Sequence, residues 1–177
     1  VTADPGMKGW ISKACNYASV ETGTTMHSFS VGIVVESNNP EINEGDVVTA
    51  NTGWAEYAVA DPGLPTFRKL DPNGAPLSTA LGILGINGFT AYFGLLAVGQ
   101  PKAGDTVLVS TAAGAVGSAV GQIAKIKGCR TIGIAGGADK TALCTDVFGF
   151  DEAIDYKAVD DLDAAIRQAC PDGIDVY

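Results

Sequence analysis

Thr106-Val107-Leu108-Val109-Ser110-Thr111-Ala112-Ala113-Gly114-Ala115-Val116-Gly117 decides the fold, because an apolar run of strand length meets a glycine-rich turn and then a helical period. Residues 106–110 predict a strand. Residues 116–127 predict a helix with Val116, Ala119, Val120, Ile123 and Ala124 on one face, and Gly128 stops it. Between them, Ala112 to Gly117 forms a GxGxxG pattern with alanine in the first place. A small residue there permits the tight turn, Gly114 lets the backbone approach a pyrophosphate, and Gly117 lets the helix pack closely on the strand. Gly121, one turn further on, keeps that packing face small. With Ala115 and Val116 opening the helix, its exposed amides and dipole predict a dinucleotide phosphate site. No Gly-Lys-Ser/Thr follows, so a Walker loop is excluded.

From this turn to the last residue, strand and helix alternate. Residues 130–135 predict a second strand, about 140–148 a helix, 153–156 a third strand, about 160–169 a helix opened by Asp160-Asp161-Leu162-Asp163, and 174–177 the start of a fourth strand. Such units build a parallel sheet with helices on both faces, an α/β doubly wound architecture. The end of the second strand is where a binder of NAD places a carboxylate against the ribose hydroxyls. Here the strand ends in Gly136-Gly137 with Lys140 just beyond, a pattern that would accept rather than repel a 2′-phosphate and favours NADP. Asp139 is the competing ribose acid, about 20 residues beyond Gly117. Its structural alternative is an N-cap for a helix beginning at Lys140.

Toward the amino terminus, Lys102-Ala103-Gly104-Asp105 is a turn, and no charge occurs from Pro72 to Pro101. That length could span a bilayer. Pro76, Gly82, Gly85, Asn87, Gly88 and Gly94 break or polarise it, the flanks are weakly basic, and buried helices explain it better. The first seventy residues predict short strands at 31–36, 47–49 and 55–60, separated by turns, with residues 61–74 turn-rich. A small barrel or sandwich follows from that spacing.

Composition narrows the classes. The 177 residues are 46% hydrophobic with a net charge of −9, enough apolar content for a packed core and too acidic for a phosphate-backbone binder, so no nucleic-acid partner is expected. Cys15, Cys129, Cys144 and Cys170 form no CxxC pair, which fits a reduced cytoplasm. His27 is the sole histidine and lacks ligand spacing, and no metal site is predicted. Tyr92, Asn51 and Tyr57 border either a substrate or the core. The sequence opens on Val1 without a secretion signal and ends in an apolar strand, so a fragment is expected.

Gly88-Phe89-Thr90-Ala91-Tyr92-Phe93-Gly94-Leu95-Leu96, Pro101-Lys102-Ala103-Gly104-Asp105-Thr106-Val107 and the Ala112 to Lys127 run resemble the zinc-independent medium-chain dehydrogenase/reductases. Asp4-Pro5-Gly6-Met7-Lys8-Gly9-Trp10, Gly53-Trp54-Ala55-Glu56-Tyr57 and Cys170-Pro171-Asp172-Gly173-Ile174-Asp175 are similar to the branch of prostaglandin/leukotriene, alkenal double-bond and curcumin reductases. The resemblance implies a partial GroES-like β domain at 1–75, a connecting helical segment at 76–101 and the first half of a Rossmann domain at 102–177. It further implies NADPH-dependent reduction of the C=C bond of α,β-unsaturated aldehydes and ketones. Gly114, Ala115, Val116 and Gly117 would then hold the pyrophosphate, and Lys140 and Tyr156, next to the Gly136-Gly137 end, the 2′-phosphate. Thr90 and Ile86 match positions beside the nicotinamide. Relatives are about twice as long, are often homodimers, and carry the tyrosine that meets the substrate carbonyl in their later half, which leaves the catalytic residue unassigned here. A quinone reductase and a non-catalytic cofactor-binding module are the alternative readings.

Overall fold

A computed structural model describes residues 1–12, 19–71 and 73–177, in two compact units, Val1–Leu81 and Gly82–Tyr177. Cys15 and Pro72 lie outside the described residues.

The first unit holds a short helix α1 (Met7–Ile11) and an antiparallel sheet ordered β1 (Phe29–Ile33), β2 (Val47–Asn51), β3 (Arg68–Leu70). The register sets Phe29 against Asn51 and Val47 against Leu70. The amino-terminal residues are tied to this sheet by polar bonds: the Thr2 amide donates to Ser28 Oγ at 2.9 Å, and Trp54 Nε1 donates to the Thr2 carbonyl at 2.8 Å. Three expectations are corrected. Residues 55–60 form no strand, because the chain turns at Gly53 (φ 77°) and β2 already has a partner on each side. The third strand is instead Arg68–Leu70, inside the stretch read as turns, where Lys69 Nζ meets Asp46 Oδ2 at 2.6 Å. The first strand also begins two residues earlier than the apolar run suggested.

In the second unit, a 3-stranded parallel sheet is ordered β4 (Thr106–Val109), β5 (Arg130–Ala135), β6 (Glu152–Asp155). Val176 bridges Val107 in parallel on the other side of β4, with the Leu108 amide donating to the Val176 carbonyl at 2.9 Å. The spatial order is therefore 176, β4, β5, β6, and the direction of travel reverses at β4. Helices α2 (Ile86–Phe93), α3 (Ala115–Ile126), α4 (Ala138–Ala142) and α5 (Leu162–Ala169) flank these strands. A wide π turn extends α2 over Gly94–Gly99 and another extends α4 over Leu143–Val147. All four residues of β4 are buried, as a strand covered on both faces requires. One core layer gathers Val107, Val109, Ala112, Ala124, Cys144 and Phe150; the other gathers Leu108, Ile132, Ile134, Ile154 and Ala169. Gly121 makes the first layer possible, since a Cβ there would stand 2.1 Å from Cζ of the buried Phe150 ring. Among the described residues, no helix is long and apolar enough to cross a membrane.

Asp151 joins α3 to the sheet. Its Oδ1 accepts from Lys125 Nζ at 2.7 Å, and its Oδ2 accepts from the Thr131 amide at 2.7 Å and hydroxyl at 3.1 Å. Partial burial pushes this carboxyl up, but the Lys125 ammonium and the Thr131 donors together outweigh it and hold the group below its usual range. A depressed folded value stabilises above the unfolded pKa, near 3.9, and that contribution is lost as pH falls through the lower folded value. Asp151→Asn is therefore expected to cost about 1 kcal/mol at neutral pH. The gap to the wild type should close in urea unfolding below about pH 4. A gap independent of pH would contradict this.

Candidate functional site

The turn from β4 into α3 lies beside the point where the strand order reverses, the crevice in which open α/β sheets bind ligands at the carboxyl ends of their strands. Thr111 opens it with a left-handed backbone (φ 51°), an uncommon state for a β-branched residue. Its carbonyl accepts the Gly114 amide at 2.8 Å, and the Ala112 amide donates to Ile134 of β5 at 3.0 Å, so the turn is pinned to the sheet. Both glycines of the motif are required by space. A Cβ on Gly117 would meet the Thr111 carbonyl oxygen at 2.4 Å and Ala112 Cα at 3.0 Å; one on Gly114 would meet Thr111 Cγ2 at 2.9 Å. Gly114 thus serves the closure of the turn itself, beyond the ligand approach expected of it.

Ala115, Val116 and Gly117 occupy the first turn of α3, where amides have no intrahelical acceptor. Gly114 stands at the N-cap without a side-chain hydrogen bond, and no carboxylate lies in that turn. The amides and the helix dipole are left to an anion. This cradle fits a pyrophosphate.

A second cluster forms at the ends of β5 and β6. The register pairs Ala135 with Asp155, which brings the carboxylate beside the Gly136-Gly137 end of β5. Asp155 Oδ1 accepts the Gly137 amide at 2.7 Å and the Lys157 amide at 3.0 Å. Those two donors hold the Asp155 carboxyl below its usual range. The Tyr156 ring lies over Gly136, where a Cβ would come within 2.7 Å of the ring atoms and hydroxyl. Gly137 is the N-cap of α4 with φ 101°, a backbone that L residues rarely adopt, and the helix starts at Ala138. Asp139 is consequently a first-turn residue and not the cap, and the helix does not begin at Lys140. Lys140 is exposed, and among the described residues no carboxylate pairs with its ammonium.

Sequence reasoning named Gly137, Lys140 and Tyr156, and the fold brings the loop and ring together; Asp155 was missed. Its signal was faint, since it acts across 18 positions through strand register. Thr90 and Ile86 are exposed on α2, which packs on α3, and the Thr90 hydroxyl donates to the Ile86 carbonyl at 2.7 Å. Among the described residues, no hydrogen bond joins either to the glycine turn. In the first unit, Thr25, His27, Asn51, Thr52 and Gly53 line a shallow groove of about 310 Å³. Burial pushes the Cys129, Cys144 and Cys170 thiols up, so none of these is a thiolate nucleophile at neutral pH. Among the described residues, no three or more His, Cys, Asp or Glu side chains gather as a metal would need.

Sheet order, glycine turn and free helix amides define a Rossmann-type α/β unit accompanied by an antiparallel β unit. Residues 1–66 match the family described as N-terminal domain of oxidoreductase, and residues 115–177 the family described as zinc-binding dehydrogenase. The chain is 44% identical to the NADPH-dependent curcumin reductase of Escherichia coli, over 100% of its own length and 51% of that protein. It is 43% identical to the NADP(+)-dependent 2-alkenal reductase of Nicotiana tabacum, over 100% of its length and 52% of that protein. The crystal structure of CurA from Vibrio vulnificus in complex with NADPH superposes with a TM-score of 0.88 at 46% identity, covering 98% of this chain and 51% of that one. The chain is similar along its length to the curcumin, 2-alkenal and prostaglandin reductases, and its two matched stretches are those of the oxidoreductase N-terminal domain and the zinc-binding dehydrogenase families. It spans about half the length of the curated relatives it matches.

Proposed function

We propose that the protein is an NADPH-dependent oxidoreductase that reduces the C=C double bond of α,β-unsaturated aldehydes and ketones. The observation that carries the cofactor reading is the pairing of two features: a glycine turn whose helix amides are free, and a second strand that itself ends in Gly136-Gly137 with no acidic residue of its own, followed by a Lys140 that is unpaired among the described residues. The enone class is supported by the similarity to a 2-alkenal reductase and a curcumin reductase. Residues 1–75 would form a GroES-like substrate domain, 76–101 the connection, and 102–177 the cofactor half-domain.

In this reading the amides of Ala115, Val116 and Gly117 bind the pyrophosphate, and Gly114 keeps the turn small enough for it to seat. Lys140 offers its ammonium to the 2′-phosphate, and the Tyr156 ring walls the same side with Gly137. Thr90 and Ile86 border the nicotinamide, where the Thr90 hydroxyl, its proton given to the Ile86 carbonyl, presents lone pairs. When bound, NADPH would supply the hydride for the β-carbon and become NADP+, with solvent water supplying the proton for the α-carbon. Holding the alkene in place converts a bimolecular step into a positioned one.

Steady-state oxidation of NADPH by the purified protein, with a 2-alkenal and with a benzoquinone as separate acceptors, tests the substrate class. Faster turnover of the alkenal is expected. Turnover of the quinone alone would assign a quinone reductase, and cofactor binding without turnover of either would leave a non-catalytic module.

A further inference from the structure

The 2′-phosphate side of the candidate site contains a carboxylate, Asp155, that neither the motif nor the family match assigns. A free carboxylate there would repel a 2′-phosphate. Its geometry assigns it a different task. Oδ1 is taken up by two backbone donors, the Gly137 amide at 2.7 Å and the Lys157 amide at 3.0 Å. Gly137 has φ 101° and nothing within 4 Å of where a Cβ would stand, so no side-chain packing fixes this residue. At its neighbour Gly136, the atoms nearest to where a Cβ would stand are Cε1, Cζ and the hydroxyl oxygen of Tyr156, each at 2.7 Å. The loop from β5 to α4 is thus two glycines long, unrestrained by side chains of its own, and followed within one turn by Lys140.

We infer that Asp155 is a positioning residue for cofactor choice: by binding the Gly137 amide it fixes the Gly136-Gly137 loop, and with it Lys140 and the Tyr156 ring, in the arrangement that accepts a 2′-phosphate. This rests on the NADPH reading above. Because both amides of its own chain bond to Oδ1, that oxygen acts as an acceptor for the loop.

The role separates acceptor from charge. Asparagine at 155 keeps a carbonyl oxygen for the Gly137 and Lys157 amides while removing the negative charge; alanine removes both. The experiment is equilibrium titration of the wild type, Asp155→Asn and Asp155→Ala with NADPH and with NADH, together with amide hydrogen exchange at Gly137. Asp155→Ala should lose protection at Gly137 and weaken NADPH about tenfold, with NADH changed much less, because NADH has no 2′-phosphate for the loop to present. Asp155→Asn should restore both the protection and the preference for NADPH. An unchanged ratio of the two affinities in Asp155→Ala, or an equal loss for both nucleotides that asparagine fails to rescue, would overturn the inference while leaving the cofactor reading intact. Failure of the wild type to bind either nucleotide would overturn the cofactor reading and the inference with it.

Discussion

Gly117→Val is expected to weaken NADPH binding on the order of 100-fold, about 3 kcal/mol, and to weaken NADH by a similar factor. The cause is backbone against backbone. A Cβ at this position would lie 2.4 Å from the Thr111 carbonyl oxygen and 3.0 Å from Ala112 Cα, and neither atom can rotate away as a side chain would. Thr111 already holds a left-handed backbone, and its carbonyl carries the bond that closes the turn at Gly114. Relief therefore has to come from moving the start of α3 off the end of β4, which takes the free amides out of register with the pyrophosphate. Overpacking of this kind also costs about 1–3 kcal/mol of stability. Urea unfolding and dinucleotide titration on the same preparation separate the two effects. A Gly117→Val chain that binds both nucleotides as the wild type does would show that the turn is not the phosphate site.

Lys140→Ala has the opposite signature, selective where Gly117→Val is general. The ammonium is exposed and unpaired among the described residues, so its removal leaves the fold unchanged to within about 0.5 kcal/mol. A charge-assisted bond to a phosphate contributes roughly 1.5–3 kcal/mol, so NADPH affinity should fall about 10- to 100-fold. NADH, which presents only a hydroxyl there, should change little. Because the site is open to solvent, the wild-type advantage for NADPH should also shrink as ionic strength rises. Equal losses for both nucleotides would place Lys140 elsewhere than at the 2′-phosphate.

How much of this was legible in the sequence depends on the range of the interaction responsible. The strand–turn–helix of residues 106–127 could be read because each signal is local: an apolar run, small residues at fixed offsets, a helical period and a terminal glycine. The alternation that follows gave the parallel sheet, with helix starts displaced by a residue or two. Asp139 illustrates the displacement. It has the composition of a cap, but Gly137, able to adopt φ 101°, starts the helix two residues sooner. In the first unit the signals were weaker. Arg68–Leu70 is three residues long and carries two cations, so nothing in its own pattern marks a strand; its place is set by β2 and by the Lys69–Asp46 pair. Residues 55–60 have strand composition but no ladder partner, and composition without a partner does not make a sheet.

The candidate site divides in the same way. Gly114 and Gly117 could be named from spacing, and the clashes that a Cβ would make with Thr111 give the reason. Lys140 followed from what the second strand lacks. Asp155 could not be found like this, because its bond to Gly137 depends on parallel register between β5 and β6, a relation no local pattern encodes.

The most direct test of the central claim is an equilibrium titration of the protein with NADPH and with NADH in one buffer of low ionic strength. Binding of NADPH at least about tenfold tighter than NADH is the predicted result, the margin that one charge-assisted phosphate contact supplies. Equal or tighter binding of NADH would contradict the account, since the Gly136-Gly137 end, Lys140 and Tyr156 would then not be reading a 2′-phosphate.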